Sequence, residues 1–179
     1  MKYQQAKEIA DGLVGKLSPY CNKILIAGSV RRGKQEVHDI EIVAKPKSIF
    51  EVGMFGVASN SPMQFPEELL YDWKILKNGP RYKQFTLPEG INLDLFLVLD
   101  PAQWGVIFTI RTGPADFSKW IVTSKAYGGA LPGDCKVKDG GVYRQGQLIY
   151  MPEEIDFLNH LGLGWLEPSE RKPNTTNHV

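Results

Sequence analysis

Three acids stand inside strand-like apolar runs of this chain: Asp39 and Glu41 in DIEIVA, and Asp94 in INLDLF. Side chains alternate across a strand, so Asp39 and Glu41 project from one face while Ile40 and Ile42 project from the other. Acids seldom share a strand face unless that face meets solvent or the charge is neutralised. If a neighbouring strand brings Asp94 beside the pair, three close carboxylates cannot all stay ionised at neutral pH without a cation. Hard oxygen donors of this kind suit Mg²⁺, whose octahedron is completed by water and substrate phosphate. The competing reading is an exposed sheet face, on which alternating acids are routine.

A second group shifts the balance toward a metal and a phosphate. Gly28-Ser29 closes the apolar run before the acids, and Arg31-Arg32-Gly33 follows at once. A Gly-Ser turn offers backbone N–H groups and a hydroxyl to phosphate oxygens. An arginine beside it adds a forked set of donors for the same charge. Alone, a Gly-Ser pair is an ordinary turn. Ahead of Asp39 and an Asp-Ile-Glu strand, it is a far more specific pattern.

The elements that must position these residues are legible from periodicity. Tyr3, Ala6, Ile9, Leu13 and Leu17 recur at helical spacing, which predicts an amphipathic helix over 3–17. Residues 23–27 and 37–44 read as strands, and 45–66 as an irregular connection. Residues 73–77 and 82–87 read as a hairpin around Asn78-Gly79. Ile91–Leu99 is a strong strand, with leucines on one face and Asn92, Asp94 and Phe96 on the other.

Asp100-Pro101 reads as the N-cap and first residue of a helix ending at Thr112-Gly113-Pro114. A second helix is expected from Ala115 to Tyr127, closed by Gly128. Residues 135–150 read as a small antiparallel sheet turning at Asp139-Gly140-Gly141 and Gln145-Gly146, and 153–161 as a short helix ended by Gly162. The polar tail after Pro168 is expected to fray. Trp73, Trp104, Trp120 and Trp165 are read as packing residues. Lys45, Lys47, Lys136, Lys138 and Arg144 are candidates for phosphate contacts, each with an ordinary solvated role as the alternative.

Composition bounds the class. The 179 residues are 42% hydrophobic and 23% charged, which allows a genuine core. With 21 basic and 20 acidic side chains the net charge is +1, so bulk charge does not announce a nucleic-acid partner. Cys21 and Cys135 show neither a disulfide framework nor a metal-ligand spacing, and are expected as free thiols of a reducing compartment. No secretory run or membrane-spanning stretch is visible, so Asn174-Thr175-Thr176 is read as a chance sequon. The expected protein is soluble and intracellular, cytoplasmic or nucleoid-associated, without a membrane partner.

GSVRRG followed by HDIEIV resembles the signature of the nucleotidyltransferase superfamily, and the double arginine resembles the DNA polymerase β-like, or X, family. IRTGPADFSKW is similar to the segment that opens that family's thumb, and GVYRQGQLIYMPEEIDFLNHLGLGWLEPSER to its end. The resemblance covers nearly the whole chain except about residues 45–70. It implies an α+β fold: a nucleotidyltransferase palm of mixed β-sheet with flanking helices in 1–100, then a small α+β thumb in 101–179. It implies catalytic and metal roles for Asp39, Glu41 and Asp94, the first two bridging two Mg²⁺ ions (with Mn²⁺ as a substitute) and the third holding the catalytic one. Gly28, Ser29 and Arg32 match its triphosphate-binding positions. Thr112-Gly113 match its turn against the incoming nucleotide, and Ser118 and Lys119 align with positions flanking the nascent base pair.

Several positions depart from the pattern. Glu41 stands where the polymerases usually have Asp. His38 replaces a small residue and either contacts phosphate or points away. Asn92 replaces an arginine that relatives often keep beside the third carboxylate. Ile110-Arg111 replace an aromatic pair that checks the sugar, so Arg111 is a candidate for triphosphate or base. Val122 stands where some relatives carry a template-contacting arginine. No helix-hairpin-helix or lyase-type segment precedes the palm motif, so no lyase activity is expected. The implied function is a monomeric, template-directed DNA polymerase using dNTPs on gapped DNA or a primer-template, with short-gap repair as its setting. Two alternatives stand beside it: a template-independent nucleotidyltransferase with another acceptor, and a weakly active nucleic-acid-binding protein.

Overall fold

The computed structural model describes residues 1–52 and 58–173. In chain order the first elements are helix α1 (Tyr3–Leu17), strand β1 (Cys21–Ile26), the one-turn helix α2 (Gly28–Arg31) and strand β2 (Asp39–Pro46). Next come β3 (Ser48–Val52), β4 (Ala58–Pro62), the short helix α3 (Glu67–Leu70), β5 (Lys74–Asn78), β6 (Tyr82–Thr86) and β7 (Asn92–Leu97). Helices α4 (Trp104–Thr112) and α5 (Ala115–Val122) follow, then β8 (Cys135–Lys138), β9 (Gly141–Arg144), β10 (Gln147–Ile149) and α6 (Glu154–His160). The protein is α+β and divides into two compact units, each with its own core. One comprises Met1–Ile26 and Lys34–Leu99, the other Ala27–Gly33 and Asp100–Val179.

The first unit is built on a five-stranded mixed sheet in the order β1-β2-β7-β6-β5. Strands β2 and β7 run parallel at its centre, and the outer pairings are antiparallel. Burial alternates as the sequence requires. Ile40, Ile42, Leu93 and Leu95 are fully buried, while Asp39, Glu41, Asn92 and Asp94 between them are half-exposed. Each of those aliphatic side chains contributes about 1.5–3 kcal/mol by leaving water. Helix α1 packs on β1 and β2 and buries Ala6, Ala10, Leu13 and Leu17, which is the expected stripe.

The expected irregular connection over 45–66 is corrected. Strands β3 and β4 pair antiparallel from Ser48↔Pro62 to Val52↔Ala58. The Pro, Gly and Ser residues scattered through this stretch hide the short SIFEV run, whose β-branched and aromatic residues favour extended chain.

In the second unit, helices α4, α5 and α6 and the three-stranded sheet β10-β9-β8 enclose a core that includes Val106, Phe117, Ile121, Val142, Met151 and Phe157. Asp139-Gly140 and Gln145-Gly146 both have positive φ at each residue, the geometry of two-residue hairpin turns. Helix α6 carries a reciprocal capping box between Glu153 and Asp156.

Three expectations for this half change. Helix α4 starts at Trp104 rather than at Asp100-Pro101, with Gln103 as its N-cap in extended backbone (φ −104°, ψ 136°) and the Gln103 N–H donating to the Gly140 carbonyl at 2.9 Å. Helix α5 stops at Val122, five residues short of Tyr127. Thr123 there adopts extended backbone, and Ser124 accepts from the Ala126 N–H to start a separate 3₁₀ turn closed by Gly128. The tail is not frayed where it is described, since Arg171 is almost completely buried. The Asn174 sequon lies outside the described residues.

Among the described residues, no helix is long and apolar enough to cross a membrane. Cys21 and Cys135 are free and buried. Of the tryptophans, Trp73 and Trp104 are buried, whereas Trp165 is 48% exposed, its indole N–H bonded to Glu167 and one face under Arg171.

Two glycines set opposite stability tests. A Cβ on Gly105 would lie 2.1 Å from the Glu153 carbonyl oxygen, and its N–H already donates to Met151 O at 3.1 Å. Gly12, in α1, faces open space. Gly105→Ala is therefore expected to lower the urea midpoint by the equivalent of about 1–3 kcal/mol. Gly12→Ala should raise stability by up to about 1 kcal/mol, since alanine is the better helix former. Equal effects from the two substitutions would contradict the packing described.

Candidate active site

The register of β2 and β7 fixes the acidic residues. Glu41 pairs with Asp94 and Asp39 with Asn92, so all four project from the same half-exposed face of the first unit. Adjacent strands lie about 4.8 Å apart, which makes Glu41 and Asp94 immediate neighbours. Asp39, two residues back along β2, is about 7 Å from Glu41 at the backbone. The row continues onto β6, where Gln84 pairs with Asp94 and Thr86 with Asn92.

Asp94 is held from that side. Its Oδ1 accepts from Tyr82 Oη at 2.7 Å and from Gln84 Nε2 at 2.8 Å. The Tyr82 ring stacks on Phe96, with centroids 5.0 Å apart and planes at 15°, and Lys77 Nζ lies 5.3 Å from its centroid. Asn92 is engaged separately: its Oδ1 accepts from Thr86 Oγ1 at 3.0 Å.

A tight cluster of three acids is not formed. Among the described residues, no group of three or more His, Cys, Asp and Glu side chains stands close enough to hold a metal ion. The geometry gives the reason. Asp94 turns one oxygen toward β6, and Asp39 lies opposite an amide rather than a third acid. The donor type alone suits a hard divalent cation: three carboxylates share one partly solvated face, and two are direct register partners. His38, just before β2, is exposed.

The residues expected to meet the nucleotide fall in the second unit. Gly28 has φ 58°, a left-handed conformation that favours glycine, and opens α2. The Ser29 hydroxyl oxygen is buried and has no hydrogen-bond partner among the described residues, which leaves it open to a ligand acceptor. Arg32 Nη1 donates to the Thr112 carbonyl at 2.7 Å, and Arg31 Nη1 donates to Thr112 Oγ1 at 2.7 Å. Residues 80 positions apart in sequence are thus joined, bringing Arg32 to the Thr112-Gly113 turn as the spacing alone could not require.

Gly113 has a packing reason of its own, because a Cβ there would lie 2.4 Å from Phe117 Cδ1. Ser118 closes the same turn, its Oγ donating to Ile110 O at 2.5 Å and lying 3.3 Å from Gly113 O. That hydroxyl is engaged with backbone. Arg111 is half-buried in the last turn of α4, and the Lys119 side chain is exposed on α5.

Arg31 has another task than phosphate. Its guanidinium grips Glu154 through two bonds of 2.8 Å and covers the Phe108 ring at 4.1 Å. Glu154, 5% exposed, also accepts from the fully buried Arg171 guanidinium at 2.6 Å. Burial alone would raise the Glu154 pKa, but the hydrogen bonds and charges of Arg31 and Arg171 outweigh it and hold the carboxyl below its ordinary 4.5. Sequence reasoning missed this cluster, and Tyr82 and Gln84 as well. Its members are scattered charged residues, and nothing local separates a buried Glu154 from the solvated Glu153 beside it.

No protein-family model matches the chain, and no curated protein matches it. The functional reading therefore rests on the residues and their placement.

The buried Glu154 cluster gives a signed pH test. Its pKa is depressed on folding, so its contribution is complete above the ordinary value of 4.5 and is lost as pH falls through the lower folded value. Glu154→Gln removes the charge facing the buried Arg171 guanidinium and the partly buried Arg31, and is expected to cost about 3–5 kcal/mol at neutral pH. Urea titrations should show wild-type stability declining below about pH 4.5 and a flatter profile in the variant. Parallel profiles for the two proteins would refute the assignment.

Proposed function

We propose that this protein is a nucleotidyltransferase of the DNA polymerase X type, with the first unit acting as palm and the second as thumb. The reaction adds dNMP from a dNTP to a primer 3′-hydroxyl under the direction of a template. The observation that carries the reading is the parallel register that sets Glu41 beside Asp94, with Asp39 on the same partly solvated face. The same register gives that face three carboxylates, the donor type that a hard divalent cation takes.

Asp39, Glu41 and Asp94 are the residues that would hold two Mg²⁺ ions, which supply Lewis-acid charge to the reacting hydroxyl and phosphate oxygens. Asp94 accepts the proton of the primer hydroxyl. The O3′–Pα bond forms, the bond from Pα to the bridging oxygen breaks, and pyrophosphate leaves. Ser29 donates its hydroxyl, and Gly28 its backbone N–H, to the β- and γ-phosphates. Arg32 offsets the charge on the leaving group, oriented by its bond to the Thr112 carbonyl. Arg31 is excluded from that role by its bidentate pairing with Glu154, and acts as a structural tether for the turn.

A labelled primer-template with a one-nucleotide gap, Mg²⁺ and single dNTPs or rNTPs tests the proposal. Templated addition of the complementary dNMP is the expected result. Asp39→Asn, Glu41→Gln and Asp94→Asn should each reduce the chemical rate by orders of magnitude with little change in DNA binding. Ser29→Ala should raise KM for the dNTP roughly tenfold or more while kcat changes little, because one hydrogen bond to a charged group is worth about 1.5–3 kcal/mol. Addition without regard to the template would point to a different acceptor. DNA binding without any addition would overturn catalysis altogether.

A further inference from the structure

The Asp94 carboxylate is anchored twice, and both anchors come from strand β6. Tyr82 Oη and Gln84 Nε2 converge on the same oxygen, Oδ1, at 2.7 and 2.8 Å. Among the described residues Oδ2 accepts no hydrogen bond. Both donors are neutral, so they fix the carboxylate in orientation without cancelling its charge. Tyr82 is itself immobilised, stacked on its register partner Phe96 with Lys77 over the ring. Fixing the ring fixes the phenol oxygen, which stands at hydrogen-bond distance from Asp94. Gln84, the register partner of Asp94, approaches from directly across the ladder.

We propose that Tyr82 and Gln84 are positioning residues for the reaction: by holding Oδ1 of Asp94 they reserve Oδ2 for a divalent cation on the face shared with Glu41 and Asp39. This deepens the two-metal reading and rests on it. A carboxylate free to rotate must be ordered each time a metal binds, whereas one held by two donors is already oriented. Such supporting hydrogen bonds typically govern metal affinity or activity by about 10–100-fold. A purely structural role for Tyr82 predicts something else, because the ring packing with Phe96 and Lys77 would survive loss of the hydroxyl.

Tyr82→Phe removes only the hydroxyl and keeps the stack, and Gln84→Leu removes the amide donor independently. The probe is Mn²⁺ alone, titrated into the full chain without nucleotide and followed by electron paramagnetic resonance, beside thermal midpoints and single-turnover extension of gapped DNA. Each variant is expected to bind Mn²⁺ about tenfold more weakly, the pair together up to about 100-fold, at an unchanged thermal midpoint. Extension should slow in kcat with the dNTP KM retained. Asp94→Asn separates the two levels of the argument. If it abolishes Mn²⁺ binding and extension while Tyr82→Phe and Gln84→Leu match the wild type, the positioning role is overturned and the two-metal reading survives. If the wild type neither binds Mn²⁺ nor extends a primer, both fail together. Should one variant lose its fold, the other carries the test alone.

Discussion

The parallel pairing of β2 with β7 is the constraint on which the rest of the first unit depends. Its register sets Ile40 against Leu93 and Ile42 against Leu95 on the buried face, and the same register sets Glu41 against Asp94 on the other. A slip of β2 by one residue would carry Ile40 and Ile42 into solvent and Asp39 and Glu41 into the core. Burying even one unpaired carboxylate costs several kcal/mol, on top of about 1.5–3 kcal/mol for each aliphatic side chain exposed. The hydrophobic pattern that makes this sheet fold therefore also brings the acids together. No additional device is needed to align them, which is why a short chain can carry such an arrangement.

The second unit solves a different problem. The turn at Gly28–Arg31 is one helical turn long and cannot hold its own shape through backbone bonds alone. Arg31 ties it to Glu154 at the head of α6 and to Thr112 at the foot of α4, and Arg171 completes the pairing from the end of the described chain. Breaking one member leaves the others buried and charged, so the cluster behaves as a unit. With Arg31 occupied, Arg32 reaches the Thr112 carbonyl. The two arginines of one short motif have thus separate duties, set by which neighbour each side chain finds.

Local pattern carried most of the fold. The α1 stripe, the alternation in β2 and β7, the hairpin of β5 and β6 and the Gly-closed turns of the second unit all follow from periods and turn residues visible in the chain. Asp39, Glu41 and Asp94 were legible for the same reason, since an acid in an apolar alternation betrays the face it occupies. What failed to show was non-local. Nothing near Gln103 foretells that it will stay extended and give its N–H to Gly140, thirty-seven positions on. Nothing near Arg171 distinguishes it from a solvated tail residue, because its partner lies 17 positions away. Tyr82 and Gln84 looked like ordinary strand residues until the register of β6 on β7 put them beside Asp94.

The position of Asn92 connects these strands of argument. In the pattern this chain resembles, an arginine often stands at this position, beside the third carboxylate. Here the residue is an amide, turned away into a bond with Thr86, and orientation of Asp94 passes to Tyr82 and Gln84 on the next strand. Neutral donors are individually weaker than a guanidinium, but two of them on one oxygen define its direction well. They also leave the full negative charge of Asp94 on the face where a hard cation is attracted by charge and not by fit alone. The neighbouring strand thus supplies the orientation of Asp94 through neutral donors, and the carboxylate keeps its charge.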